Sequence, residues 1–312
     1  MRKFFLSALL LIAFLSVLPT SSLAAGPITH VGLTREALGQ CDSNICQMIK
    51  KYPDLCYAGL MVPDSSIMKY YSEYPIGKKY LLSHNWNYID RGLAQSETED
   101  MKVFWYCQGI HEVQDGIFHN YYIPDKLKSG LFFIPVHNWL GHPLFEGFIE
   151  AYNFKVNPTD ADIAQYSMDI LFQPGNEKYL DSVQKAMGVS ESEFNVRDEA
   201  WTLRTFLGAG KFEYGYYNVP AGSWMRSLYN FLGSILGGVG SGEAKEEMQF
   251  SVDYTVKTLN SWGSRIALDP AGYDALSSAD AYPNIILTVL IIVTVVVVMW
   301  RLGIPVWEHF KK

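Results

Sequence analysis

His111, Asp115 and His119 recur at intervals of four inside a stretch, Gln108 to Asp125, that contains no lysine or arginine. On an α-helix residues four apart share one face, with about 5–6 Å between their Cβ atoms. The spacing therefore predicts a helix carrying a stripe of nitrogen and oxygen ligands. A lone histidine on an apolar face is usually a hydrogen-bonded core residue, and a lone aspartate a cap or a surface charge. Repeating the two in one apolar helix is different, because it costs several kcal/mol unless a cation pairs the carboxylates. With no basic side chain in the segment, a metal ion is the economical cation. His137 and His142-x-x-x-Glu146 follow closely, and imidazole with carboxylate suits zinc above other metals.

The two ends of the chain set its compartment. Met1-Arg2-Lys3, an apolar run from Phe4 to Leu18 and small residues to Ala25 have the form of a secretory signal peptide over residues 1–24, cleaved after Ala24 or Ala25. Ile285 to Trp300 is uninterrupted and apolar, and extending it over 283–303 reaches the ~20 residues that a spanning helix needs. Arg301, Lys311 and Lys312 follow, which places the 304–312 tail in the cytoplasm and residues 25–280 outside. The expectation is a single-pass type I protein of the cell membrane.

Setting aside Arg2, Lys3, Arg301, Lys311, Lys312 and Glu308 leaves 20 basic against 31 acidic side chains, a net charge of −11 for the ectodomain. Such a surface repels a polyanion and argues against a nucleic-acid partner. Cys41, Cys46, Cys56 and Cys107 lie on the oxidising side, which favours two disulfides out of three possible pairings. A local Cys41–Cys46 loop with a long Cys56–Cys107 clamp is the favoured pairing, though the sequence alone leaves it open.

Helical periodicity dominates the ectodomain, and an all-α fold is expected. Short helices are read at Thr34 to Gln40 and Ile45 to Lys51, and a long one from Glu99 to Tyr122, ending at Pro124. Phe145 to Asn153 is read as helix, with Pro143 at its start. Ser190-x-x-Glu193 reads as a capping box opening a helix through about Leu207. Glu243 to Trp262 repeats apolar residues at helical spacing. Aromatic pairs such as Tyr70-Tyr71 and Tyr121-Tyr122 are read as packing residues in preference to a pocket lining. Trp224 to Gly242, nearly free of charge, fits an interfacial helix or an ordinary core helix equally well.

Taken in order, Ile28-Thr29-His30, Val62-Pro63-Asp64, His84-Asn85-Trp86, His111 with Asp115 and His119, and His142 with Glu146 resemble the ligand pattern of the zinc-dependent phospholipase C family. That family shares its all-helical fold with secreted zinc nucleases that cut single strands. The resemblance covers residues 26 to 154. It implies a multi-helix phospholipase C or zinc nuclease-like domain followed by one C-terminal transmembrane helix, with three zinc ions. By resemblance, Asp64, His84, His111 and Asp115 hold the first zinc. His119, His142 and Glu146 hold the second, and His30 with bridging Asp115 the third. The terminal Trp usual in that family is absent, and the Asp64 to His84 interval is long. Asp54 or Asp90 is an alternative to Asp64, and His137 to His142. Ala25 lies five residues before His30, so a mature N-terminal amine is a further candidate ligand.

The chemistry so implied is attack on phosphorus by a zinc-activated water, with Asp64 and Asp115 as the catalytic carboxylates and no protein nucleophile. Phospholipid at a membrane surface is the expected substrate. A zinc-dependent nuclease or nucleotidase and a non-catalytic zinc-stabilised surface protein are the competing readings; oligomeric state is left open.

Overall fold

The computed structural model describes residues 26–66, 82–122, 157, 159–217 and 242–267, and these are helical, with no strand among them. The order is α1 (Pro27–Gln40), α2 (Asn44–Lys51), α3 (Pro53–Met61), a 3₁₀ turn (Pro63–Ser66), α4 (Trp86–Ala94), α5 (Glu99–Ile117) running into a π-helical turn (Phe118–Tyr122), α6 (Thr159–Leu171), α7 (Glu177–Met187), α8 (Val196–Tyr217) and α9 (Gly242–Asn260).

Helix α5 is the axis of the fold. Glu99 and Asp100 open it, where acidic side chains complement the helix dipole. From Val103 to Ile117 every residue except Tyr106 is buried. A helix buried all round must be covered on every side, and α1, α2, α3, α4 and α9 all pack on it, α3 most extensively. Two glycines permit the closest approaches. A Cβ at Gly59 of α3 would lie 2.2 Å from the Phe104 carbonyl oxygen, and one at Gly92 of α4 would enter the Trp105 ring. The Cys56–Cys107 disulfide ties α3 to α5, and Cys41–Cys46 closes the α1–α2 turn, the pairing the sequence favoured.

The long helix over 99–122 and the helices at 44–51 and 242–260 lie within two residues of their expected bounds. Helix α1 starts at Pro27, seven residues before the expected Thr34, because proline is pre-organised for the first helical position; this extension carries His30. The Ser190 and Glu193 pair does not open a helix. The Glu193 carboxylate accepts from the Ser190 amide at 3.1 Å and its hydroxyl at 2.9 Å, closing a turn. Helix α8 begins instead at Val196, where the Asn195 side chain accepts from the amides of Arg197 and Asp198, and it runs to Tyr217 in place of Leu207. Helices α3, α4, α6 and α7 were not anticipated.

Among the described residues no helix is long and apolar enough to cross a membrane. The signal segment, the apolar run over 283–303, Tyr70-Tyr71, Phe145 to Asn153, and Trp224 to Ser241 lie outside the described residues.

Candidate metal centre

Six ligand-type side chains meet beside the C-terminal half of α5. His111 and Asp115 stand one helical turn apart on α5, and His119 follows in the π-helical turn. Helix α1 supplies His30. Pro63, which lacks an amide hydrogen to continue α3, stands in the 3₁₀ turn that presents Asp64. His84 immediately precedes Asn85, whose side chain caps α4 by accepting from the Tyr88 amide at 2.9 Å. Helix α8 packs against the Asp64 turn.

Asp115 is the hub. Its Oδ1 lies 3.3 Å from His30 Nε2, and its Oδ2 lies 3.3 Å from His84 Nε2, 3.3 Å from His111 Nε2 and 3.8 Å from His119 Nε2. Asp64 Oδ1 is 3.5 Å from His111 Nε2 and 3.9 Å from His84 Nε2. All six residues are buried. Among the described residues neither carboxylate forms an ion pair with lysine or arginine; Asp64 pairs with two histidines and Asp115 with four.

The surrounding hydrogen bonds assign the tautomers. Gln114 Oε1 lies 2.7 Å from His30 Nδ1, while Gln114 Nε2 donates to Thr34 Oγ1 at 3.0 Å. An amide oxygen only accepts, so His30 carries its proton on Nδ1. Ser83 donates its hydroxyl proton to the Pro63 carbonyl at 3.2 Å and contacts His84 Nδ1 at 3.1 Å, so His84 is protonated on Nδ1 as well. With Nδ1 protonated, the Nε2 atoms of His30 and His84 face Asp115 oxygens at 3.3 Å, so each contact needs a second ring proton or a cation between the two atoms; burial lowers the His30 imidazole, but the hydrogen bond to Asp115 and its charge raise it overall.

The donor set fits a metal. Ligand atoms of Asp64, His84, His111 and Asp115 all lie within 4.8 Å of one another. With metal–ligand bonds of 2.0–2.1 Å, the edges of a coordination tetrahedron are about 3.3–3.4 Å. The His84–His111 Nε2 separation is 3.1 Å and both atoms stand 3.3 Å from Asp115 Oδ2. Protonation states agree. Burial holds the His111 imidazole down to about 3 and that of His119 to about 4, so both are neutral lone-pair donors at neutral pH. Burial alone would raise the Asp115 carboxyl, but the adjoining His111, with hydrogen bonds from His111, His30 and His84, keeps it well below the usual range.

No family model, curated protein or solved structure matches this chain.

The centre therefore stands on its own geometry. The four residues brought together are the four that the resemblance groups around one zinc; His30 and His119 flank them on Asp115. His137, His142 and Glu146 lie outside the described residues. Asp90 is not at the site, because Arg265 grips it with two bonds of 2.8 Å, and Asp54 is exposed in the first turn of α3. Sequence reasoning missed Gln114, Thr34 and Ser83, which orient the imidazoles. Gln114 is legible in retrospect: it lies three residues after His111 and is polar in a buried helix.

Two outcomes follow from this geometry. Gln114→Leu frees His30 to take the other tautomer, and metal affinity is expected to fall by about 10–100-fold, the usual effect of losing an outer-shell partner; titration with a competing chelator measures it. In the metal-free protein, His111 and His119 bind protons more readily unfolded than folded, since their folded values lie below the usual 6.5. Their contribution is fully present above pH 6.5 and is lost as pH falls towards about 4. Urea midpoints measured across that window should decline with acid, and a flat profile would contradict the buried neutral pair.

Proposed function

We propose that the ectodomain is a metal-dependent phosphodiester hydrolase of the phospholipase C type, working with zinc on glycerophospholipid at the membrane to which residues 283–303 tether it. One observation carries the reading: the Nε2 atoms of several imidazoles converge on two carboxylates in one buried cluster whose ligand atoms lie close enough together to share a metal ion. An all-His and carboxylate donor set belongs to catalytic zinc, whereas structural zinc sites are dominated by cysteine, and here all four cysteines are in disulfides.

Asp64, His84, His111 and Asp115 would hold the first ion, with His30 and His119 extending the site through Asp115. Residues His142 and Glu146 complete the set that the resemblance implies. When bound, zinc lowers the pKa of a water towards neutrality and neutralises phosphate oxygens. The chain's own part is to keep His111 and His119 neutral by burial, orient His30 and His84 through Gln114 and Ser83, and supply Asp64 to orient the attacking water. The −11 charge supports lipid over nucleic acid as substrate.

The test is release of phosphorylated head group from mixed phospholipid in detergent by the zinc-loaded full chain, with a chelator control and a single-stranded DNA arm. Release that chelation abolishes is the expected result. Cleavage of DNA alone would favour the nuclease reading, and zinc-loaded protein inert on both would favour a non-catalytic surface protein.

A further inference from the structure

Three features meet at one end of α5. The metal cluster ends there at His119. Two residues on, Tyr121 is 54% exposed and its ring stands edge-on to Phe250 of α9, 45% exposed, with centroids 6.4 Å apart; Tyr254 extends the pair at 6.0 Å from Phe250. Tyr122, by contrast, turns inward onto Phe118. The third feature is the course of the chain. Ile266 would meet a Cβ at Gly116 at 2.7 Å, and Asn120 Nδ2 donates to the Ala267 carbonyl at 2.8 Å. Ala267 is therefore held beside Asn120, the neighbour of Tyr121 in sequence.

Only fifteen residues, 268–282, separate Ala267 from the apolar run over 283–303. A chain of that length spans at most about 50 Å and has an r.m.s. length of roughly 20 Å when flexible. The surface nearest the exit is the one held closest to any bilayer that the run enters, and it is also the surface where two large aromatic rings are left uncovered beside the metal cluster. Tyrosine and phenylalanine on such a surface suit the interfacial zone of a membrane.

We infer that the face formed by Tyr121, Phe250 and Tyr254 docks on the bilayer that holds the chain's own C-terminal run, so that the metal cluster works in cis on that membrane. The inference rests on the membrane-tethered reading above. The lipid is zwitterionic: exposed Glu246 and Asp253 flank Phe250, and the net charge of −11 opposes an anionic surface. The other exposed large aromatics among the described residues, Tyr166 and Trp201, carry no such inference. Arg204 lies over the Trp201 and Phe172 rings at 4.7 and 5.4 Å and pairs with Asp169.

The test reconstitutes the full chain in phosphatidylcholine nanodiscs with an environment-sensitive dye at Phe250→Cys, at Tyr121→Cys or, as the control, at Tyr166→Cys. Expected are a blue shift and at least about twofold quenching by spin-labelled lipid at 121 and 250, with neither at 166. Dyes at 121 and 250 that stay as water-exposed as at 166, or a chain that does not remain with the nanodisc, would overturn the inference. Hydrolysis of a monomeric short-chain phosphatidylcholine is followed on the same samples. Hydrolysis with water-exposed dyes overturns the docking face and leaves the hydrolase; inserted dyes without hydrolysis support the face and sink the hydrolase.

Discussion

Asp115→Asn is expected to leave the folded protein unable to retain zinc. The change keeps the shape of the side chain and removes the charge on which four imidazoles converge: His30 on one oxygen, His84, His111 and His119 on the other. Losing an outer-shell partner costs 10–100-fold in affinity; losing the carboxylate on which the imidazoles converge should cost more, about 10³-fold at least. Stability should separate this from a folding defect. Metal that binds only the folded state stabilises by a term that grows with ligand concentration over Kd, so stripping metal from the wild type should lower its melting temperature. The variant starts without that term, and it also lacks a buried charge that is costly in the metal-free state. Its melting temperature should be insensitive to chelator and no lower than that of the stripped wild type. A variant that still binds one zinc per chain with unchanged affinity would refute the central role given to Asp115.

How much of this centre a sequence can display depends on how local it is. The stripe on α5 was legible because three ligands share one helix and the helical period brings them together without tertiary knowledge. The disulfides were legible as a preference, since a five-residue loop and one long clamp are the simplest use of four cysteines. Asp64 and His84 are separated by twenty residues, and nothing local states that the turn after α3 and the start of α4 meet at α5; the resemblance supplied that grouping, and the fold brings them together. Three glutamine and hydroxyl side chains that set the tautomers carry no motif at all. The misread helix start has a physical reason as well: Ser-x-x-Glu makes the same hydrogen bonds in a free-standing turn as at a helix N-terminus, and Asn195, five residues after Ser190, caps the helix instead. Helix α3 was hidden by its own packing. Its mixture of proline, glycine and a disulfide-bonded cysteine has little helical periodicity, and at Gly59 its backbone lies directly against that of Phe104 on α5.

That backbone contact yields the second large effect. A methyl group placed at Gly59 would lie 2.2 Å from the Phe104 carbonyl oxygen, 3.1 Å from its carbonyl carbon and 3.3 Å from its Cα. No side chain can rotate to relieve a clash with backbone, so α3 must shift bodily away from α5. Two constraints resist the shift. The Cys56–Cys107 disulfide fastens the helices one turn away, and the helix packs on α6 and α1 as well as α5. Gly59→Ala should therefore destabilise the metal-free protein by about 3 kcal/mol or more, at the upper end of overpacking effects, read as a fall in urea midpoint with unchanged m-value. Gly39→Ala is the matched control. That position is in α1 with nothing within 4 Å of the added Cβ, and alanine there should be neutral or stabilising by up to about 1 kcal/mol. The displacement would also reach the metal, because Asp64 lies five residues beyond Gly59, in the 3₁₀ turn that follows α3. Any folded fraction of Gly59→Ala should bind zinc more weakly than the wild type while retaining His111 and Asp115 unchanged. Equal stability of the two alanine variants would show that α3 and α5 do not approach as closely as their glycine contact requires.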